Sequence, residues 1–317
     1  MTPLLLDTPL TRHAKIRVPV ICGAMYPCSN IELVAAVSEA GGIGIVQPVT
    51  LTFVHGMEFR AGLRRIRSLT NQPIGMNALI EKSSKRYMER MRRWVDEGLE
   101  EGVRFFVTSL GDPRWVAEKV HAVGGVVYHD VTEAKWAAKA RDGGADGLIA
   151  VNRRAGGHAG ERDPRALLDE LLPFGLPVVC AGGIGDGAGF ADALRMGYVG
   201  VQCGTRFIAT KEANAKPEYK QMLVDAGAGD IVYSSLFTGV LGNYLKASIA
   251  AAGLDPDNLP AGDKAKMDFG SGGNMRSKAW RDIWGAGQGI GSIADVPTVA
   301  ECVARLREEY VAAARQL

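Results

Sequence analysis

Gly144-Ala-Asp-Gly-Leu-Ile-Ala150 is an apolar run that leads directly into the loop Val151-Asn-Arg-Arg-Ala-Gly-Gly-His-Ala-Gly-Glu161. The run predicts a buried strand, and the loop places His158 among small residues just past the carboxyl end of that strand. In parallel α/β proteins, ligands and catalytic side chains lie at this end of the sheet. Small neighbours would let the imidazole face a planar ligand, so His158 is a candidate catalytic residue. The alternative is a solvated or capping loop histidine.

Other apolar runs of strand length recur along the chain, and helical patterns lie between them. One of these patterns predicts a long amphipathic helix from about Thr52 to Leu69. The seven other predicted strands are Val18–Ala24, Ile43–Val46, Pro73–Leu79, Val103–Thr108, Gly125–Asp130, Pro177–Ala181 and Tyr198–Cys203. Eight strand–helix alternations favour a parallel sheet closed on itself. The predicted fold class is therefore α/β, a (β/α)8 TIM barrel.

The alternation stops after the eighth strand. Helical stretches at Pro217–Ala226 and Thr238–Ala252 precede a Pro/Gly/Asp-rich segment, Leu254–Gly273, which predicts a loop. We therefore expect a mainly helical insertion or lid over residues 213–281. The barrel itself would comprise residues 1–212 and 282–317, with its last helix beginning at about Thr298.

Composition narrows the class of protein. The chain has 317 residues, 47% of them apolar, which is enough for the core of one large barrel. The formal net charge is +2, and the basic cluster between Lys82 and Arg93 has apolar residues at helical spacing, as on a solvated helix face. Neither feature indicates a nucleic-acid partner.

The cysteines and the N-terminus indicate the compartment. The five cysteines include no CxxC pair and lie mostly in apolar runs, which suits reduced, buried thiols rather than disulfides or a metal site. The first residues carry no basic region followed by a long apolar region, and no segment has the length and hydropathy of a membrane span. We therefore expect a cytoplasmic protein with no metal and no membrane association.

Glycine-rich turns follow the seventh and eighth predicted strands, at Ala181–Gly187 and Gln202–Phe207. In (β/α)8 barrels the loops after these strands often bind phosphate through backbone N–H groups. Gly182 and Gly183 would let the backbone approach a phosphate, and Thr205 would add a hydroxyl donor. The alternative for Gly182 and Gly183 is a tight turn alone. A Rossmann dinucleotide site is disfavoured because no intact GxGxxG follows a strand.

Together these features suggest a site for FMN. A phosphate would bind after strands seven and eight, while backbone and amide groups after strands one and three would hold a flat ring beneath His158. Asn77, near the end of the third strand, could hydrogen-bond this ligand, or it could instead satisfy loop backbone. An imidazole suits acid–base work beside a flavin because its pKa lies near neutral pH.

The sequence resembles the FMN-dependent nitronate monooxygenases, formerly called 2-nitropropane dioxygenases. Their superfamily also includes NADH:quinone reductases and FMN-dependent enoyl-ACP reductases. The resemblance runs through nearly the whole chain as an ordered set of motifs. These are Pro19-Val-Ile-Cys-Gly-Ala-Met25, Ala40-Gly-Gly-Ile-Gly44, Pro73-Ile-Gly-Met-Asn77, Ala155-Gly-Gly-His-Ala-Gly160, Ala181-Gly-Gly-Ile184, Gln202-Cys-Gly-Thr-Arg-Phe207, Ala209-Thr-Lys-Glu212 and Trp284-Gly-Ala-Gly-Gln-Gly289.

The resemblance implies a role for each matching residue. His158 corresponds to the active-site histidine of the family, and Gly287 and Gln288 would approach the substrate. The residues implied to bind FMN are Gly23, Ala24 and Met25 at the ring, Asn77 by the ring or ribityl chain, Gly157 beside His158, and Gly182, Gly183, Gly204 and Thr205 at the phosphate with Gln202 nearby.

The chain departs from the family pattern at three positions. Many relatives have Gln and Gly where this chain has Cys22 and Ala24, and others have Lys after the fifth strand where this chain has Asp130. A carboxyl group at that position removes a cation that could favour an anionic reduced flavin or an anionic substrate. These departures prevent a direct transfer of substrate from the family to this chain.

Two enzymatic functions follow from the resemblance. The first is nitronate monooxygenase, which would oxidise alkyl nitronates with O2 to carbonyl compounds and nitrite. The second is an NAD(P)H-dependent flavin reductase acting on quinones or enoyl thioesters, favoured by the similarity of Glu212–Tyr219 to a segment of the enoyl reductases. A flavin-binding barrel without activity is a third interpretation, which His158 in its glycine setting disfavours. The expected partner is a small-molecule substrate with O2 or NAD(P)H as co-substrate, and a homodimer is compatible with the sequence.

Overall fold

The computed structural model describes residues 6–81, 84–260 and 281–315, with side chains described as far as residue 313. Eight parallel strands form a closed barrel in the order β1-β2-β3-β4-β5-β6-β8-β9, with β9 paired to β1. These strands are β1 Val20–Cys22, β2 Ile43–Val46, β3 Gly75–Ile80, β4 Phe105–Leu110, β5 Val126–Val131, β6 Gly147–Val151, β8 Val178–Ala181 and β9 Val201–Cys203. The predicted TIM barrel is confirmed, and each predicted strand corresponds to one barrel strand.

Helices link the barrel strands and pack on the outside of the barrel, and further helices lie before β1 and in the 213–281 region. They are α1 Pro9–Ala14, α2 Ile31–Glu39, α3 Phe59–Arg67, α4 Lys85–Glu100, α5 Arg114–His121, α6 Ala134–Asp142, α7 Pro164–Leu171, α8 Gly187–Met196, α9 Thr205–Ile208, α10 Pro217–Asp225, α11 Lys246–Ala251 and α12 Val299–Arg315. On α4, Met91 and Trp94 are buried while Arg92 and Arg93 are exposed, so the basic cluster lies on a solvated helix face as predicted. Lys82 lies outside the described residues.

The strand side chains form two apolar layers, one inside the barrel and one outside it, because successive side chains in a strand point to opposite faces. Ile21, Ile45, Val107, Tyr128 and Ile149 pack together inside the barrel. Their strand neighbours pack outward against the helices. All five cysteines are buried and none forms a disulfide, as predicted from their apolar setting.

The two ends of the chain complete the barrel. At the amino ends of the strands, α1 buries Leu10 and Ala14 against the barrel interior, and His13 Nδ1 lies 3.1 Å from Tyr128 Oη. Sequence patterning did not predict this helix. At the other end of the chain, α12 packs against α8, where the rings of Phe190 and Tyr310 are 4.8 Å apart.

Two helix predictions were wrong. The predicted helix Thr52–Leu69 is divided into a π-helical turn at Thr50–Val54 and α3, with Gly56 at φ +64° between them. The predicted helix Thr238–Ala252 contains a strand, β11 (Gly242–Leu245), and only its second part is helical, as α11.

A small antiparallel sheet lies beside the barrel and contains β11. Its strand order is β10-β11-β7, where β10 is Ile231–Ser234 and β7 is Gly157–His158. Gly242 of β11 pairs with His158. The described part of the 213–281 region is thus a mixture of helices and strands, and one of those strands joins it to the loop after β6. Residues 254–260 are irregular, as predicted, and the rest of the predicted Leu254–Gly273 loop lies outside the described residues.

Candidate active site

His158 lies in a two-residue strand rather than in an open loop. Its Nε2 atom is 2.9 Å from the hydroxyl oxygen of Thr238, which precedes β11. The same hydroxyl can donate to the carbonyl of Val240, at 3.2 Å. When it does so, Nε2–H of His158 donates to Thr238, and the proton-accepting lone pair of the imidazole is on Nδ1.

Burial determines the charge of His158. The side chain is partly accessible at its surface, but protein encloses the ring closely enough that desolvation lowers its pKa to about 4. Desolvation disfavours the charged imidazolium, so the ring is neutral near pH 7. A neutral imidazole can both donate a hydrogen bond and accept a proton, as the predicted acid–base role requires.

The loop that carries His158 is held by contacts from two other segments. Asn243 of β11 donates to the carbonyl oxygens of Arg153 and Ala155, at 2.8 and 2.7 Å. Gln288 donates from its backbone N–H to the carbonyl of Arg154, at 2.9 Å. Asn243 is 2% exposed, so its two hydrogen bonds are shielded from water and fix the loop firmly.

The glycine turns after β8 and β9 lie against this loop. A Cβ on Gly182, where φ is +121°, would be 2.5 Å from the backbone nitrogen of Ala155. The hydroxyl of Thr205 accepts from the N–H of Gly287, at 2.9 Å. The predicted phosphate residues therefore lie together with the loop and with the predicted tail motif.

The residues predicted at the ends of β1 and β9 also lie close together. A Cβ on Gly23 would be 3.1 Å from the Gln202 side chain, and a Cβ on Gly204 would be 3.3 Å from Met25 Sδ. Ala24 packs against the apolar interior of the barrel.

Polar side chains interrupt the apolar interior at Asn77, Asp130 and Gln202. Asn77 is buried, and its Nδ2 lies 3.5 Å from the carbonyl of Val107. Among the described residues, no hydrogen-bond partner reaches the buried atoms Asp130 Oδ1 and Gln202 Oε1. Leaving a buried polar atom unsatisfied costs about 1–3 kcal/mol, so both atoms favour a ligand with complementary polar groups. A flavin ring, with N–H and C=O groups along one edge, fits that requirement.

Some residues of the site carry no signal in the sequence. Thr238 and Asn243 contact the His158 loop from a region predicted to be helical, and Arg154 packs its side chain over Gly183. Tyr219 stacks on Trp284 and donates to the carbonyl of Gly285, which supports the tail motif from α10. These contacts join residues far apart in sequence, and no local periodicity encodes them.

A family model described as nitronate monooxygenase matches residues 7–309. The chain belongs to the nitronate monooxygenase family. A nitronate monooxygenase from Pseudomonas aeruginosa is 31% identical, and the alignment covers 78% of this chain and 83% of that protein. Members of this family are flavin-dependent oxidoreductases, so the chain is an enzyme of that class.

Other relatives of the chain have different names. A (3aS,4S,5R,7aS)-5-hydroxy-7a-methyl-1-oxo-octahydro-1H-indene-4-carboxyl-CoA dehydrogenase from Mycobacterium tuberculosis is 29% identical, over 88% of this chain and 77% of that protein. Among solved structures, a FabK variant from Thermotoga maritima is similar over 98% of each chain, with 26% identity and a TM-score of 0.77. Family membership therefore does not by itself specify the substrate. In the part of the chain that the structure describes, every helix is too short or too polar to cross a membrane.

Proposed function

We propose that the chain is an FMN-dependent nitronate monooxygenase, which oxidises alkyl nitronates with O2 to carbonyl compounds and nitrite. The observation that carries the proposal is the neutral, enclosed imidazole of His158, held by Thr238 beside the glycine turns after β8 and β9. The nitronate monooxygenase relatives support the same reaction.

Residues at the carboxyl end of the barrel would bind different parts of FMN. Gly182, Gly183, Gly204 and Thr205 would hold the phosphate, and Asn77 and Gln202 would meet polar groups of the ring and ribityl chain. Gly23, Ala24, Met25 and Gly157 would pack against the cofactor. FMN, when bound, supplies the electron transfer that no amino-acid side chain here provides.

His158 would act on the substrate rather than on the cofactor phosphate. Its neutral ring can donate a hydrogen bond to a nitro or nitronate oxygen, or accept the proton from the carbon next to a nitro group. A positioned acid–base group contributes roughly 10²–10⁴-fold to the rate of such a step. The hydrogen bond to Thr238 fixes the ring for this role.

The second candidate is a flavin reductase or dehydrogenase acting on an acyl-CoA or enoyl thioester, with NAD(P)H as the other substrate of a reductase. The dehydrogenase from Mycobacterium tuberculosis is named for a carboxyl-CoA compound, which favours a thioester. Arg154 is exposed beside Gly183, and no acidic partner is found for its guanidinium within the described ranges. A cation at that position could bind a phosphate of such a substrate.

Anaerobic mixing distinguishes the two functions. FMN-loaded protein would be mixed separately with propionate-3-nitronate, NADH, NADPH and a panel of acyl-CoA and enoyl thioesters while flavin absorbance is recorded. We expect the nitronate to bleach the flavin and the nicotinamides to leave it oxidised. Rapid bleaching by a nicotinamide, or by a saturated acyl-CoA, without a response to nitronate would overturn the proposal in favour of the second candidate.

The contact between Thr238 and His158 gives a separate prediction. Thr238→Val keeps the shape of the buried side chain but removes its hydroxyl. A neutral hydrogen bond contributes about 1 kcal/mol, so we expect turnover with nitronate to fall roughly fivefold because the ring loses its fixed orientation.

Thr108→Val is the matched control for that variant. Thr108 makes an equivalent contact, 2.8 Å from Nδ1 of His129, but on the outer face of the barrel. Its loss should lower the free energy of unfolding and leave turnover unchanged. Equal losses of turnover in the two variants would show that the effect of Thr238→Val is general destabilisation.

A further inference from the structure

A buried carboxyl group on the inner face of β5 has no role in the mechanism described above. Asp130 follows Tyr128 by two residues, and Tyr128 packs in the barrel interior, so both side chains face inward. Because β5 ends at Val131, Asp130 lies at the carboxyl end of the barrel, the end from which the His158 loop emerges.

The surroundings of Asp130 are mainly apolar. On the flanking strands the inward-facing residues are Val107 and Ser109 on β4, and Ile149 and Val151 on β6, and of these only Ser109 is polar. Within the described ranges, Oδ1 of Asp130 is buried without a hydrogen-bond partner. Burying an ionised carboxylate without a partner is costly, and desolvation accordingly raises the pKa of Asp130 to about 7.

We propose that Asp130 is a positioning residue that keeps its proton and donates it in a hydrogen bond to an acceptor atom of the flavin ring. The proposal rests on the FMN site proposed above. It involves no net proton transfer, because the proton stays on the carboxyl group while the cofactor is bound. A protonated acid in an apolar setting is a strong hydrogen-bond donor to an electronegative ring atom.

The other groups near Asp130 keep a constant charge around neutral pH. Tyr128 faces inward on the same strand, and burial raises its pKa far above neutrality. His129 faces outward to Thr108, and burial lowers its pKa to about 4, as it does for His158 on the loop after β6. Asn77 and Gln202 do not titrate. A change in FMN binding near pH 7 beyond that due to the cofactor phosphate would therefore report on Asp130.

The direction of the pH effect depends on which protonation state of Asp130 binds FMN. Below about pH 7 Asp130 carries the proton it donates, and FMN binding would raise its pKa further. Above that pH the carboxylate offers no donor and adds a negative charge, so FMN affinity should fall by up to about tenfold per pH unit. The phosphate of FMN also titrates near pH 6, and that contribution is common to every variant.

The test compares the wild-type protein with Asp130→Asn between pH 6.5 and 8.5. Asparagine is a neutral donor of the same shape at every pH, so this variant is expected to fold and to bind FMN. We expect the FMN dissociation constant of the wild type, measured by flavin fluorescence, to rise about tenfold across this range. That of Asp130→Asn should change by less than about twofold over the same range.

A second readout does not depend on the variant. Infrared difference spectroscopy of the wild type at pH 6.5 should show a protonated carboxyl band that shifts when FMN binds. Parallel pH profiles for the two proteins, or a carboxyl band unaffected by FMN, would overturn the role of Asp130 while leaving the FMN site intact. Failure of the wild type to bind FMN at any pH would overturn both proposals.

Discussion

Replacing His158 with alanine is expected to lower nitronate turnover by about 10²–10⁴-fold while FMN remains bound. The imidazole contacts Thr238 of the neighbouring segment, whereas the residues proposed to bind the FMN phosphate follow β8 and β9. Removing the ring should therefore abolish the acid–base group without opening the cofactor site. Turnover and the flavin absorbance of the purified variant would be measured together.

His158→Gln is the control for the same experiment, because it keeps a polar side chain of similar reach but cannot act as a base near neutral pH. If acid–base chemistry is the role of His158, both variants should lose most of the turnover. If the ring only binds substrate, His158→Gln should retain kcat and change KM. Unchanged turnover in His158→Ala would remove His158 from the mechanism.

The pH dependence of the wild type should report the same imidazole. Since burial lowers the pKa of His158 to about 4, the ring stays neutral well below the ordinary histidine value of about 6.5. The rate with substrate should therefore fall only as the pH approaches about 4, where the ring gains a proton and can no longer accept one. An acid limb centred near 6.5 in kcat/KM, present in wild type and absent in His158→Gln, would contradict this.

The barrel could be predicted from sequence because its signals are local. Each buried strand is a short apolar run, such as Pro177–Ala181, and its length and flanking helical pattern do not depend on any distant residue. Parallel strands joined by helices pair with their sequence neighbours, so the order of the runs indicates the order of the strands. The positions of His158 and of the glycine turns at one end follow from the same geometry.

The small sheet beside the barrel could not be predicted in this way. Its strand β7 has two residues, too few for any alternation, and it pairs with β11 more than 80 residues later. Gly242 and Asn243 take part in a strand because that pairing and the hydrogen bonds of Asn243 to the loop after β6 are available only in the folded chain. Tertiary contacts therefore override the helical pattern of Thr238–Ala252.

The sequence predicts that the glycines near the site leave room for a phosphate, and the structure adds another requirement. At Gly182 the space beside the backbone is occupied by the loop that carries His158: Ala155 N and Asn152 Oδ1 lie 2.5 and 2.6 Å from the position of a Cβ. The amide of Asn152 also donates to the carbonyl of Gly182, at 3.1 Å. Gly182 is therefore needed for close contact between the loops after β6 and β8.

Gly182→Ala should consequently disturb both the His158 loop after β6 and the glycine turn after β8. A methyl group at φ +121° would be strained, and it would overlap backbone of the His158 loop, which has no flexible side chain to move aside. We expect the free energy of unfolding to fall by about 3 kcal/mol and FMN affinity to fall about 100-fold. Urea denaturation and flavin fluorescence would measure the two effects.

Gly175→Ala separates strain in the backbone from overlap between the loops. Gly175 also has a positive φ, +71°, but no atom lies within 4 Å of the position of its Cβ. Its substitution should cost about 1 kcal/mol of stability through the backbone alone and leave FMN affinity unchanged. If the two variants lost equal stability and both bound FMN normally, the contact between the loops after β6 and β8 would not be what positions the cofactor site. If only Gly182→Ala lost affinity, the packing of one loop against the other would be the feature that positions the glycine turn after β8 relative to His158.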